Sequence, residues 1–450
     1  MLQQTDRDRL ASAVPQRSGL PRKGKLVFVA LNRFGAAGFA LLSAGLIVGS
    51  ADSATSAQYF AVQASAFLAL FVAKWGLPQS VLATVSAADD DAISAAIGTH
   101  LRLATRIGLA VAGCHLIFVA LTYPTLTLPI AVAIGAWVWC EGIRSVAVEA
   151  IRGLDRQDIA SLLGEGPRNA IFTGLLIVTL GLGNGLGLAA IFGLQLIATA
   201  VVGVGAALWL RFRSGYSFGI FGSASLDRSS LGLSSTVAVA EFCGIAMMQG
   251  PVVVAPFLLS SEDVGVLAIA LRLGPLVLMP LAVAIQFLGP RLFMGQRQLA
   301  QYESQVRAAS TVATGLSLGV GLAVVGYGFL QPNDLFGVDV IAPLLVAYVV
   351  SVAVGPTSAF LYMNGQASGA ARNAVVSLVC GIVLLLAFAG LSGYIAGPIE
   401  RAVFSSVIAI PLVLVSVLNG NAALASGVRL SISWLSIRRI GQQVTGMVAS

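Results

Sequence analysis

Apolar segments of about 20 residues, separated by short polar connections, follow one another along most of the chain. A helix of about 20 residues crosses a hydrocarbon core of ~30 Å, whereas a membrane barrel would show short alternating strands. The pattern therefore predicts an all-α polytopic membrane protein with about 12 transmembrane helices. The predicted spans are residues 26–50, 57–82, 101–122, 126–146, 159–181, 186–210, 231–255, 264–289, 308–329, 340–362, 373–394 and 398–418. The fifth span is the weakest, because Glu165, Pro167 and Arg168 interrupt its start.

The composition agrees with this pattern. Of 450 residues, 57% are hydrophobic and 10% are charged, and the mean hydropathy is +0.91. Soluble domains carry about 25% charged residues, so an ordinary soluble fold is excluded. The four cysteines lie inside apolar segments without the spacing of a disulfide or metal motif. We interpret them as small buried residues.

The basic residues predict the orientation. Four of the 26 Lys and Arg residues fall inside predicted spans, and the others lie on one side of the twelve-span arrangement. The connections on the opposite side contain none; they are residues 51–56, 123–125, 182–185, 256–263, 330–339 and 395–397. By the positive-inside rule we expect both termini to be cytoplasmic. The net charge of +7 reflects this orientation, so no nucleic-acid partner is expected.

Weak self-similarity between the two halves of the chain points to a duplicated unit. Tyr59-Phe60-Ala61 matches Val266-Leu267-Ala268, and Trp75-Gly76 and Arg152-Gly153 have counterparts at similar spacing. Duplication of a six-span unit and chance matching in a Gly- and Ala-rich sequence both stay open. The predicted domains are a basic cytoplasmic tail, an N-terminal six-helix lobe, a cytoplasmic linker, a C-terminal six-helix lobe and an amphipathic cytoplasmic tail. Their ranges are 1–25, 26–210, 211–230, 231–418 and 419–450.

Three basic side chains inside spans are candidate substrate-binding residues: Arg33, Lys74 and Arg272. A charge at the membrane centre costs about 2.5 to 3.5 kcal/mol, so it faces protein or water by default. Small residues follow Arg33 at helical spacing, which favours a packed face or cavity over snorkelling to the surface. For Lys74, snorkelling and function are equally open.

Glu241 and Arg272 are both predicted near the middle of the membrane. A structural ion pair and a proton- or cation-sensitive switch are alternative interpretations, and Glu241 is the candidate for ion coupling. Glu141 and Arg144 are interpreted first as an i, i+3 pair and second as a gate. Glu400 and Arg401 are expected at the interface. His115 is expected to be packed, with a proton relay as the alternative.

Three apparent enzyme motifs are discounted. Residues 19–26 lack the hydroxyl residue of a P-loop and follow no predicted strand. Asp89-Asp90-Asp91 is explained as an acidic loop with helix capping, and residues 181–187 as a turn. No cofactor and no ATP-hydrolysing apparatus are predicted. Transport energy would come from an ion gradient, the membrane potential or removal of product.

Three short segments carry a resemblance to a known family. They are residues 261–273 with 289–292, residues 152–156, and residues 355–365. Together with the number of spans, they resemble the polysaccharide and O-antigen flippases of the multidrug/oligosaccharidyl-lipid/polysaccharide exporter (MOP) superfamily. The resemblance covers roughly residues 26–418 and implies two six-helix lobes around a central cavity that opens alternately to either side.

The resemblance also implies an activity and partners. Such a protein would be a transporter that moves an undecaprenyl-diphosphate-linked oligosaccharide outward during lipopolysaccharide or exopolysaccharide biosynthesis. Its partners would be this lipid-linked oligosaccharide, membrane lipids, a polysaccharide polymerase and chain-length proteins. A drug/cation antiporter of the same superfamily is the first alternative, and it should favour acidic cavity residues. A membrane glycan polymerase or ligase is less favoured, because every outer connection is short.

Overall fold

The structure is a computed structural model, and it describes residues 23–88, 90–124, 126–183, 185–214, 228–292, 307, 310–323, 325–326, 337–363, 366–394 and 397–426. Helices dominate these residues, and no strand occurs among them. Nine helices within the described ranges are long and apolar enough to cross a membrane. The prediction of an all-α polytopic membrane protein is confirmed.

The first half of the chain forms nine helices in its described residues. They are α1 (Lys23–Ser50), α2 (Ser53–Lys74), α3 (Leu77–Ala87), α4 (Asp90–Thr122), α5 (Leu128–Gly153), α6 (Gln157–Leu162), α7 (Glu165–Gly181), α8 (Leu188–Ser214) and α9 (Arg228–Val254). A short 3₁₀ turn follows α9 at Ala255–Phe257.

The described residues of the second half continue this helical pattern. The helices are α10 (Ser261–Leu292), α11 (Ser310–Ala323), α12 (Val338–Val354), α13 (Thr357–Met363), α14 (Ala367–Leu391) and α15 (Pro398–Ala425). The predicted basic tail up to residue 22, residues 215–227 of the predicted linker, and residues 427–450 lie outside the described residues.

Three of the predicted continuous spans are each divided into two helices. The span at 57–82 breaks between α2 and α3, where Trp75 and Gly76 adopt left-handed φ angles of 33° and 70°. The span at 159–181 breaks between α6 and α7. The span at 340–362 breaks before α13, where Gly355 has a φ of 87° and precedes Pro356. The break at 159–181 coincides with Glu165, Pro167 and Arg168, which already marked this span as the weakest, whereas hydropathy does not register the other two breaks.

The chain forms two compact units, which are described separately. The first comprises residues 1–245 and 252–265, and the second comprises residues 246–251 and 266–450. The first half of α9 therefore groups with the first unit. The predicted lobe limits at residues 210 and 231 stay a prediction.

A buried apolar cluster fixes α3 within the first unit. Leu77, Val81 and Val85 of α3 pack against residues of α4, α5 and α8. Gly153 at the end of α5 allows the close approach, since an added Cβ would lie 3.0 Å from Val85. The break between α2 and α3 is therefore held from one side by the core of the unit.

Polar contacts bring α1 and α7 close together in the same unit. The Asn169 side chain donates to the Ala36 carbonyl at 2.9 Å, and the hydroxyls of Ser43 and Thr173 lie 2.7 Å apart. At the closest point, a Cβ on Gly166 would lie 2.0 Å from Asn32 Oδ1 and 2.8 Å from the Asn32 carbonyl oxygen. This packing places Arg33 next to the beginning of α7.

The second unit has polar links of its own. Arg401 Nε donates to Asp339 Oδ2 at 2.8 Å, which joins α15 to the start of α12. Asn373 donates to Asn419, which donates in turn to Ser358. Arg401 is partly buried in this ion pair, and its expected position at the interface stays a prediction.

Candidate functional site

Glu141 is the centre of a buried cluster of charges in the first unit. Helix α5 places Arg144 one turn later, and its guanidinium binds both carboxylate oxygens, with Nε donating to Glu141 Oε2 at 2.8 Å. From α7, Arg168 Nη1 lies 2.9 Å from Glu141 Oε1. Glu141, Arg144 and Arg168 are 1%, 3% and 12% exposed. A carboxylate this buried is stable only when it is paired and hydrogen-bonded, as it is here.

The break between α6 and α7 contributes to the same cluster. Arg144 Nη1 donates at 3.2 Å to the carbonyl of Leu163, where α6 has just ended. Carbonyls at a helix end lack partners within the helix, and the guanidinium supplies one. Arg168 lies in the first turn of α7, and its Nη2 also donates to Asn169 Oδ1 at 2.9 Å. The helix break and the charges thus stabilise one another.

Lys74 is the last residue of α2 and lies at the break between α2 and α3. It is half-buried, and its ammonium lies 5.7 Å from the centroid of the Phe71 ring. Glu141, Arg144, Glu165 and Arg168 act on it electrostatically. Among the described residues no carboxylate lies within ion-pair distance of Lys74. The two arginines of this group contact Glu141 directly, whereas Lys74 has no such contact with a carboxylate of the described residues.

Glu241 of α9 contacts α3, the helix that begins just after this break. It is half-buried and accepts a hydrogen bond from Gln79 Nε2 of α3 at 2.9 Å. Lys74 and Glu149 both act on it electrostatically. The observed partner of Glu241 is therefore Gln79, a residue that sequence reasoning did not consider. The predicted pairing with Arg272 stays a prediction.

Arg33 and Arg272 lie in different units. Arg33 is half-buried on α1, within the electrostatic influence of Glu165, Arg152 and Glu149. Among the small residues that follow it, Ala36, Ala37 and Ala44 are buried and Ala40 is half-buried. Arg272 is half-buried on α10 of the second unit. Arg33 and Lys74 thus belong to one unit and share Glu165 as an electrostatic neighbour, and Arg272 is described apart from them.

Sequence reasoning found only part of this site. It identified the i, i+3 pair of Glu141 and Arg144, which the structure confirms as buried, but it treated Glu165 and Arg168 only as interruptions of a span. Charged residues inside an apolar segment are the signal that could have identified them. His115 is packed, as expected, and its Nε2 lies 3.0 Å from Ser65 Oγ.

No family model matches this sequence, and no curated protein matches it either. Solved structures do resemble this protein. An inward-facing multidrug resistance MATE family transporter of the MOP superfamily shares 16% identity at a TM-score of 0.63, covering 93% of this chain and 98% of that one. A MATE protein in complex with MaL6 shares 14% identity at a TM-score of 0.60, covering 89% and 96%.

A third neighbour is a MOP superfamily transporter from Pyrococcus furiosus. It shares 14% identity at a TM-score of 0.50, covering 89% of this chain and 96% of that one, and it is described as having a binding pocket of reverse polarity that suggests a different function. The chain is thus a polytopic helical membrane protein. Its fold is that of the MATE transporters of the MOP superfamily, the same superfamily to which the sequence resemblance pointed.

Proposed function

We propose that this protein is a flippase that moves an undecaprenyl-diphosphate-linked oligosaccharide to the outer face of the bacterial inner membrane by alternating access. The observation that carries the proposal is Lys74, a half-buried cation at a helix break whose neighbouring arginines are already bound to Glu141. An anion that reaches this break would meet an ammonium group that has no carboxylate within ion-pair distance among the described residues.

The position of Lys74 supports anion binding. Interrupted transmembrane helices commonly form the substrate sites of transporters, because their unwound backbone is tolerated only where it is buried in protein or lines a cavity. A lysine ammonium carries three rotatable donors and binds phosphate as a point charge. Arg33, in the same unit, and Arg272, in the second unit, are the further proposed substrate contacts.

The other charged residues have different proposed roles. Glu141, Arg144 and Arg168 hold α5, α6 and α7 together, and their contacts with one another leave Lys74 to bind the substrate. Glu241 is the proposed site of ion coupling, since its carboxylate is half-buried and is influenced by Lys74.

The fold supports a transporter. Its neighbours include multidrug resistance transporters and one MOP superfamily member whose pocket is described as reversed in polarity. A site in which Lys74 is available to an anion agrees with such variation within one fold. A location in the inner membrane with cytoplasmic termini, and a polymerase and chain-length proteins as partners, belong to the same proposal.

The test is flipping in proteoliposomes with an undecaprenyl-diphosphate-linked oligosaccharide, scored by its accessibility to an added glycosidase. Lys74→Gln should lower the initial rate by about tenfold or more, and Lys74→Arg should retain most of it, since a desolvated charge contact is worth ~1.5–3 kcal/mol. Arg211→Gln, at the exposed end of α8, is the control and should behave as the unaltered protein. An unaltered rate in Lys74→Gln would refute the proposal.

A drug/cation antiporter is the second candidate. Glu241 favours it, because a half-buried carboxylate on a membrane helix could bind a cationic drug or a proton in turn. Efflux of a cationic dye driven by an imposed proton gradient would test it. If Glu241→Gln abolishes such efflux while Lys74→Gln leaves it intact, the antiporter is favoured over the flippase.

A further inference from the structure

Two hydrogen bonds join the first half of α9 to the break between α2 and α3. Trp75 Nε1 donates to Ser235 Oγ at 3.3 Å, and Gln79 Nε2 donates to Glu241 Oε1 at 2.9 Å. The two acceptors are six residues apart on α9, or about 9 Å along its axis. Trp75 directly follows Lys74, and Gln79 lies in the first turn of α3. One contact therefore starts at the left-handed break itself, at Trp75, and the other starts in the first turn of the helix that follows the break.

Helix α3 is buried more deeply than the side chains that join it and the break to α9. Leu77 and Val81 anchor α3 in the apolar core of the unit. The atoms of the contact itself lie outside that core: the donors Trp75 and Gln79 are exposed, and the α9 acceptors Ser235 and Glu241 are half-buried. The contact is held by two polar side-chain bonds outside the apolar core, so it is suited to opening while α3 stays in place.

We propose that Gln79 is a positioning residue that keeps the Glu241 carboxylate near Lys74, and that the Trp75–Ser235 and Gln79–Glu241 bonds form a clasp that opens when a polyprenyl diphosphate binds Lys74. The proposal rests on the proposed flippase function and extends it to a mechanism of release. The second half of α9 contributes residues 246–251 to the second unit. Opening of the clasp would thus act on a helix that belongs to both units.

Repulsion between the bound diphosphate and the Glu241 carboxylate would open the clasp. A diphosphate at Lys74 brings at least two negative charges near Glu241, whose carboxylate already feels Lys74 and Glu149. Like charges at such range repel one another, while the lysine turns from Glu241 to the ligand. Binding of the ligand at Lys74 and closure of the clasp therefore oppose each other.

Binding of undecaprenyl diphosphate to the full-length protein in detergent tests this competition. Gln79→Leu keeps the side-chain volume but removes the donor, so the clasp no longer opposes the ligand. We expect the affinity to rise about three- to tenfold, and the flipping rate to fall. A purely structural role for Gln79 would leave the affinity unchanged or lower it, and either result would overturn the proposal. Trp75→Phe, which retains an aromatic ring, should shift the affinity in the same direction and serves if Gln79→Leu does not fold.

Crosslinking separates the clasp from the proposed function. Trp75→Cys and Ser235→Cys are combined in a chain whose native cysteines are replaced by alanine: Cys114, Cys140, Cys243 and Cys380. A short thiol crosslinker should stop flipping, and reduction should restore it. Undecaprenyl diphosphate should slow crosslinking, and adding Lys74→Gln should remove this effect. Binding through Lys74 without slower crosslinking refutes the clasp alone, whereas absence of binding refutes the flippase and the clasp together.

Discussion

Arg168 of α7 and Glu141 of α5 form an ion pair of 2.9 Å across two helices that are separated along the chain by a helix break. Arg144 binds the same carboxylate from its own helix. One carboxylate thus contacts two guanidinium groups in the core of the first unit. Since two cations depend on it, the carboxylate should matter more for stability than either arginine.

Glu141→Gln should therefore destabilise the protein more than Arg168→Gln. Removing one partner of a buried pair typically costs about 3–5 kcal/mol, because a charge is left without compensation. Glu141→Gln leaves two such charges, whereas Arg168→Gln leaves Glu141 still bound by Arg144. Thermal unfolding in detergent, followed by tryptophan fluorescence, measures the difference. Glu149→Gln is the control: its pair with Arg152 is 21% and 30% exposed and should contribute ~1 kcal/mol or less. Equal effects of all three changes would contradict this ranking.

Gly166 should tolerate no larger residue. In Gly166→Ala the new Cβ would lie 2.8 Å from the Asn32 backbone oxygen, which cannot move without shifting α1. Overpacking of this kind costs about 1–3 kcal/mol. Gly174 is a matched control two turns later on α7, where an added Cβ meets nothing within 4 Å. Gly174→Ala should be neutral or stabilise by up to ~1 kcal/mol, because alanine favours the helix. The unfolding temperatures of the two variants test this, and similar values would show that α1 and α7 do not pack closely.

The sequence was sufficient to predict the membrane helices, because a bilayer demands long apolar segments wherever the chain crosses it. It was also sufficient for the pair of Glu141 and Arg144, which helical periodicity places one turn apart. It was not sufficient for Arg168, since no local rule states which two helices of a bundle become neighbours. The sequence also did not predict the helix break after Lys74. Trp75 and Gly76 lie in an apolar run, and their left-handed conformation depends on α3 packing into the core.

Tyr348 of the second unit should be replaceable by phenylalanine. Its ring packs over Gly274, where an added Cβ would lie 2.2 Å from the ring, and its hydroxyl has no hydrogen-bond partner among the described residues. A buried hydroxyl without a partner costs about 1–3 kcal/mol. Tyr348→Phe should thus be neutral or stabilising, whereas Gly274→Ala should destabilise. A lower unfolding temperature for Tyr348→Phe would mean that the hydroxyl has a partner.

Gly76 should be required for transport as well as for folding. Its φ of 70° lies in the left-handed region, where an L-residue costs roughly 1–2 kcal/mol. In Gly76→Ala this cost favours a more regular helix through the break, which would turn Lys74 away from Glu141 and Glu165. We expect the flipping rate to fall several-fold, with a loss of undecaprenyl diphosphate affinity. Gly113→Ala on α4, where a Cβ meets nothing within 4 Å, should leave both unchanged. If Gly76→Ala lowers only the unfolding temperature, the break supports the fold but does not position Lys74 for its ligand.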